Sequence, residues 1–130
     1  MREMSSLERC LSALNFEIPD RVPVVPQSFM FACKTAGYRI GQINKSGKLM
    51  AETHLVSCEK YGYDGVVIDI DDATLAEACG AKVIFRENDV AIVDESAPVL
   101  KSLKDVEYLE LPDPYKSGRL PEWLEATKIL

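Results

Sequence analysis

Apolar positions along this chain recur with two periods, one helical and one extended, and glycines and prolines separate the segments. Leu7, Cys10, Leu11 and Leu14 recur at helical spacing and predict a short helix that packs one stripe inward. Ser5-Ser6-Leu7-Glu8 fits a capping box at its start, and Pro19 ends any continuation. Arg21-Val22-Pro23-Val24-Val25-Pro26 reads as a first strand, with two prolines that each remove a ladder donor. Gln27 to Tyr38 is apolar with interleaved aromatics, which suits a core helix or a pocket lining just after a strand. Gly37, Gly41 and Gly47 break the next stretch into what reads as a mobile loop. A helix from about Gly47 to Lys60 follows, capped by Ser46, stopped by Gly62, with Leu49, Met50, Thr53, Val56 and Ser57 inward. His54 falls one residue off that stripe and reads as a surface or boundary residue.

Val66 to Ile70 is a β-branched apolar run bounded by Gly65, and it predicts a buried parallel strand. Asp69, Asp71 and Asp72 close it, and a helix of Ala, Leu and Glu runs on to Gly80. Carboxylates at the C-terminal end of a parallel strand mark an active-site edge of an α/β fold, which makes Asp71 a candidate catalytic group. Asp71 or Asp72 capping the next helix is the alternative. Residues 82–93 then predict an antiparallel hairpin with a polar turn at 86–89, and Ser102 to Glu107 a helical turn. Leu111 to Tyr115 reads as extended loop. Gly118 to Leu130 reads as a helix with Pro121 in its first turn and Leu120, Trp123, Leu124, Thr127 and Leu130 on a wide apolar face.

The strand–helix–strand order predicts parallel pairing of Val22–Val25 with Val66–Ile70. Two such strands and one hairpin are too little sheet to cover the apolar stripes of these helices. Residues 1–130 therefore read as a single partial domain that self-associates or joins further polypeptide.

Composition narrows the function class. The chain has 130 residues, 47% apolar and 28% charged, which suits a globular protein. A net charge of −6 argues against nucleic acid and anionic membranes as partners. No apolar run reaches membrane-spanning length, and the first residues lack a signal-peptide core, so a cytoplasmic location is expected. Cys10, Cys33, Cys58 and Cys79 are too scattered, with His54 the one histidine, for a metal site in this chain. They read as small, partly buried thiols in a reducing compartment.

Several segments together resemble a known family. They are Asp20-Arg21-Val22-Pro23-Val24 after a short helix, the Asp64-Gly65 strand ending in Asp71 with Gly80 nine residues on, the hairpin, and Pro112-Asp113-Pro114-Tyr115-Lys116-Ser117-Gly118-Arg119-Leu120-Pro121. In order and spacing they resemble the N-terminal part of the uroporphyrinogen decarboxylase superfamily, which includes corrinoid-dependent methylcobamide:coenzyme M methyltransferases. The resemblance implies the α/β class, as the first part of a (β/α)8 TIM barrel with an inserted β-hairpin. True decarboxylases carry an Arg-Gln-Ala-Gly-Arg segment after the first strand, because bidentate cations grip the substrate carboxylates. This chain has Gln27-Ser28-Phe29-Met30-Phe31-Ala32 there, with Ser28 and Ala32 at the two arginine positions. That replacement is similar to the methyltransferase branch.

The resemblance then implies methyl transfer to a thiol by the full-length protein, with Asp71 as the catalytic-edge acid and Gln27, Phe29 and Met30 against substrate. It implies zinc and a corrinoid methyl donor, with zinc ligands in the C-terminal half, so that these 130 residues alone are expected to be inactive. The expected partners are a small-molecule substrate or a corrinoid protein, plus the remaining barrel polypeptide. A uroporphyrinogen decarboxylase of altered substrate, and a truncated non-enzymatic binding or assembly module, are the alternatives.

Overall fold

The computed structural model describes residues 2–68 and 71–130. Among them it has six α-helices, one 3₁₀ helix and one two-stranded sheet, an α/β arrangement dominated by its helices. Helix α1 spans Ser6–Leu14, and its predicted capping box forms, with the Ser5 hydroxyl accepting from the Glu8 N–H and the Glu8 carboxylate from the Ser5 N–H. The expected inward stripe does not form: Leu7, Leu11 and Leu14 are exposed, and the residue that α1 buries is Arg9. Charge pairing therefore anchors this helix. Arg9 donates to Asp20 at 2.6 and 2.9 Å and to Asp64 at 2.5 Å.

Helix α2 spans Phe29–Ala36 and ends on Gly37, whose φ of +81° is left-handed. The Gly37–Gly47 stretch is not simply loop, since it contains α3, Ile40–Ile43, with Ile43 and Asn44 fully buried. Its glycines serve close approach. A Cβ at Gly41 would lie 2.8 Å from the Arg86 carbonyl oxygen, and the Gly41 N–H donates to the Glu87 carbonyl at 2.9 Å. Helix α4 spans Gly47–Tyr61, with the Ser46 hydroxyl accepting from the Leu49 N–H and Gly62 as its left-handed cap. Met50, Thr53 and Ser57 face inward as expected, whereas Val56 is exposed. His54 is not a boundary residue: it is 2% exposed, and burial pushes its pKa down.

Neither 22–25 nor 66–68 forms a strand, so the expected parallel ladder is not seen there. Asp69 and Ile70, the rest of the second predicted strand, lie outside the described residues. Pro23 and Pro26 have no N–H to donate. The two segments meet instead at Asp64, which donates its N–H to the Val24 carbonyl and accepts the Val24 N–H on its carboxylate, both at 2.8 Å.

Helix α5, Ala73–Ala78, leads to the antiparallel hairpin of β1, Val83–Ile84, and β2, Ile92–Val93. The register pairs Val83 with Val93 and Ile84 with Ile92, inside the predicted hairpin. The 3₁₀ turn Leu103–Tyr108 is held by Ser102 and Asp105, and α6 spans Leu120–Ile129. The core lies between α4 and α6, where Met50, Ala51 and Ala126 are buried and Phe29, Ile68 and Trp123 pack against them. Gly47 permits this approach, since a Cβ there would collide with the Glu122 carbonyl oxygen.

Candidate functional site

Asp71 opens the turn into α5, and its side chain is buried. Oδ1 accepts from the Ala73 N–H at 3.0 Å, from the Thr74 hydroxyl at 3.0 Å and from Arg119 Nη2 at 2.9 Å. Oδ2 accepts from Arg119 Nη1 at 2.7 Å. Asp72, the formal cap of α5, makes no capping bond with its side chain. Asp71 therefore holds the helix start and a buried ion pair at once.

Arg119 reaches this carboxylate from the first residue before α6 and also donates Nε to Glu77 at 2.5 Å. Burial opposes its charge, but its hydrogen bonds to Asp71 and Glu77 win and hold its pKa above the ordinary arginine value. Its guanidinium lies 5.1 Å from the Phe85 ring centroid, and Lys45 Nζ lies 3.9 Å from the same ring. Gly118 makes the approach possible. Its φ is +52°, and a Cβ there would stand 3.0 Å from the Ala78 nitrogen.

The other predicted site residues lie on and just before α2. Phe29 is drawn into the core beside Ile68. Met30 lines a shallow pocket of about 320 Å³ with Cys33, Tyr38 and Asn88. Gln27 is exposed, and Ser28 stands at the start of α2. Ala32 is fully buried on α2. Sequence reasoning missed Arg119 as Asp71's partner. Its only local signal is the Gly118-Arg119 pair inside the Pro112–Pro121 segment that carries the family resemblance.

A second charge cluster ties the chain's start to the approach of the second predicted strand. Asp64 accepts from Ser6, Arg9, Arg21 and the Val24 N–H, at 2.5 to 3.1 Å. The Val24 N–H is the largest influence holding its pKa below the carboxylate range, and Arg21, Arg9 and Ser6 add to it against burial. Arg9 does the same for Asp20. This cluster joins α1 to the 20–24 segment and to Asp64.

Among the described residues, no three His, Cys, Asp or Glu side chains group so as to hold a metal. Asp71 is committed to Arg119, and His54 is buried with Nε2 lacking a hydrogen-bond partner among those residues. The described residues do not fit a zinc site. Among the described residues no helix is long and apolar enough to cross a membrane.

These features define an α/β unit whose buried acid is locked by an arginine at the start of its last helix. Residues 5–130 match the uroporphyrinogen decarboxylase (URO-D) family, and the chain belongs to it. Its structure is similar to that of a methyltransferase from Methanosarcina mazei, with a TM-score of 0.77 and 26% sequence identity. The likeness covers 98% of this chain and 38% of that one, so this chain spans well under half of that methyltransferase. No curated protein matches the chain.

Proposed function

We propose that this chain is the N-terminal part of a (β/α)8 barrel methyltransferase that moves a methyl group from a corrinoid to a thiol. The likeness to the Methanosarcina mazei methyltransferase along 98% of the chain carries this reading. The chemistry of α2 supports it against decarboxylation. A polycarboxylate substrate needs cations at positions 28 and 32, and these hold Ser28 and a fully buried Ala32. Asp71 supports it too. A carboxylate meant to stabilise positive charge on a substrate ring works best uncompensated, and Arg119 already compensates this one.

In this reading Gln27 and Met30 contribute to the substrate side of the barrel mouth, Phe29 backs them from the core, and Asp71 follows the segment predicted as the second strand. Zinc and corrinoid binding belong to the remaining polypeptide, where zinc supplies thiol activation by lowering the thiol pKa. The partners are a small thiol and a corrinoid or corrinoid protein.

The test uses the full-length protein with methylcobalamin and coenzyme M, followed by the visible absorbance of the corrinoid. Thiol-dependent demethylation is the expected result. Uroporphyrinogen turnover without methyl transfer overturns the reading in favour of a decarboxylase. A reading frame that stops after Leu130, with neither activity, favours a binding or assembly module.

A further inference from the structure

Among the described residues, a pocket of about 320 Å³ lies where α2, α3 and the hairpin tip meet. Met30 and Ile40 give it an apolar side, and Lys34, Tyr38, Arg39 and Asn88 a polar one. The chain carries 21 acids against 15 lysines and arginines, yet no acid lines this pocket. Two of its polar groups are already engaged. Tyr38 donates its hydroxyl to Glu52 at 2.9 Å, and Arg39 is paired with Glu87. The side chains of Lys34 and Asn88 have no hydrogen-bond or ion-pair partner among the described residues. An ammonium and a carboxamide are therefore left to meet a ligand.

Lys34 lies in the last turn of α2, where a cation complements the helix dipole whether or not anything binds. The dipole does not account for Asn88, which belongs to the hairpin. Asn88 reaches the pocket because the hairpin tip rests on Gly41. A Cβ at Gly41 would stand 2.8 Å from the Arg86 carbonyl oxygen and 2.9 Å from the Glu87 Cα, and the Gly41 N–H donates to the Glu87 carbonyl at 2.9 Å. The docked tip thus supplies the third wall.

We propose that this pocket binds a small organic anion, with a short apolar body against Met30 and Ile40 and an anionic head held by Lys34 and Asn88. The volume is at the small end of ligand pockets, which span roughly 300–1,000 Å³. A lysine is a point charge on a flexible stem, so it suits a single anionic head without demanding a bidentate one. Met30 is the one residue that the pocket shares with the substrate side proposed above, and Asp71 does not line it. Binding here does not rest on the methyl-transfer reading and is measured with neither methyl donor nor thiol present.

The experiment titrates the full-length protein with pentanoate, and with pentylammonium and acetate as the charge-reversed and body-less probes, followed by saturation-transfer NMR. Pentanoate is expected to bind, and the other two at least about tenfold more weakly. Lys34→Glu is expected to weaken pentanoate at least about tenfold, the loss of one charge-assisted hydrogen bond, while Lys34→Arg stays within about threefold of wild type. Asn88→Ala weakens it less. Gly41→Ala lifts the hairpin tip and is expected to weaken pentanoate about tenfold, although every lining residue is unchanged. Lys34 is exposed, so Lys34→Glu gives a readout even if Gly41→Ala folds poorly.

Pentylammonium binding as well as pentanoate overturns the proposal, as does no pentanoate binding up to about 10 mM. Wild-type affinity in Lys34→Glu places the anion elsewhere in the protein and overturns it too. Wild-type affinity in a folded Gly41→Ala variant overturns the three-walled site. Failure of methyl transfer by the full-length protein leaves each of these readouts unchanged, so the two readings fail separately.

Discussion

Asp71 and Arg119, 48 residues apart, meet through two parallel hydrogen bonds of 2.7 and 2.9 Å with both side chains buried. A mouth group alone would leave stability intact when removed, and a simple helix cap would be worth about 1 kcal/mol. The pair changes both expectations. Asp71→Ala strands the Arg119 charge with only Glu77, and losing one partner of a buried pair costs about 3 kcal/mol or more. Asp71→Asn still accepts from Ala73 and Thr74 and is expected to fall between wild type and alanine. Urea midpoints of the full-length variants give the ranking. A loss below about 1 kcal/mol for Asp71→Ala would return the residue to a capping role.

What the sequence made legible was local. The Ser5–Glu8 box, the Ser46 and Gly62 ends of α4 and the 82–93 hairpin follow from residues within a few positions of each other. The long-range pairs were not legible. Arg9 sits on an ordinary amphipathic helix, and nothing near it announces Asp64, 55 residues away. The periodicity of α1 predicts the helix but not which side meets this chain: Arg9 with Asp20 and Asp64 is buried here, while Leu7, Leu11 and Leu14 are exposed. Gly41 and Gly47 look like breakers in the sequence, whereas their missing Cβ atoms make room for another segment's backbone.

Gly47 gives a direct check of that last point. An alanine inside a helix ordinarily gains about 1 kcal/mol over glycine. Here the added methyl meets the Glu122 carbonyl and the Glu125 side chain, and the Gly47 N–H already donates to Glu122 Oε2 at 2.7 Å. Gly47→Ala is therefore expected to lower the unfolding temperature by several degrees, a net loss of about 1–3 kcal/mol from overpacking. A raised unfolding temperature would mean that α6 is free to shift away from α4.

Acid should weaken the fold in two windows. Burial lowers the His54 pKa, so the unfolded chain binds that proton more readily than the folded one. Stability from His54 is present at neutral pH and is lost as pH falls through about 6.5, the ordinary histidine value. Asp20 and Asp64 have depressed pKa values, so their contribution is present above about pH 4 and is lost below it. Unfolding midpoints from pH 8 down to pH 2 should fall in both windows. His54→Leu is expected to remove the upper fall, and Asp64→Asn to flatten the lower one while reducing the midpoint at pH 7. A wild-type midpoint that is flat from pH 7 to pH 3 would show that neither group is held as described.

The remaining expectation concerns what the exposed apolar residues do when these 130 residues are made alone. Phe16, Leu103 and Leu111 are at least 93% exposed, and Leu7, Leu14, Ile18 and Val22 are exposed along the start of the chain. Single exposed apolar residues are ordinary, but Leu7 and Leu14 share α1 with Leu11, and Phe16, Ile18 and Val22 follow it closely in sequence. Apolar surface on that scale is worth covering at roughly 25 cal/mol per Å², so association should win at modest concentration. The chain alone is therefore expected to sediment as a concentration-dependent oligomer heavier than its 14.5 kDa. Leu7→Glu/Leu14→Glu should shift it toward monomer with little change in unfolding temperature, because those side chains contribute little to the fold of the chain itself. In a longer protein whose further polypeptide covers the stripe, the same pair should instead lower stability. A well-folded 14.5 kDa monomer across the accessible concentration range would count against a surface that needs covering. An unchanged full-length stability in the double variant would place the covering polypeptide elsewhere.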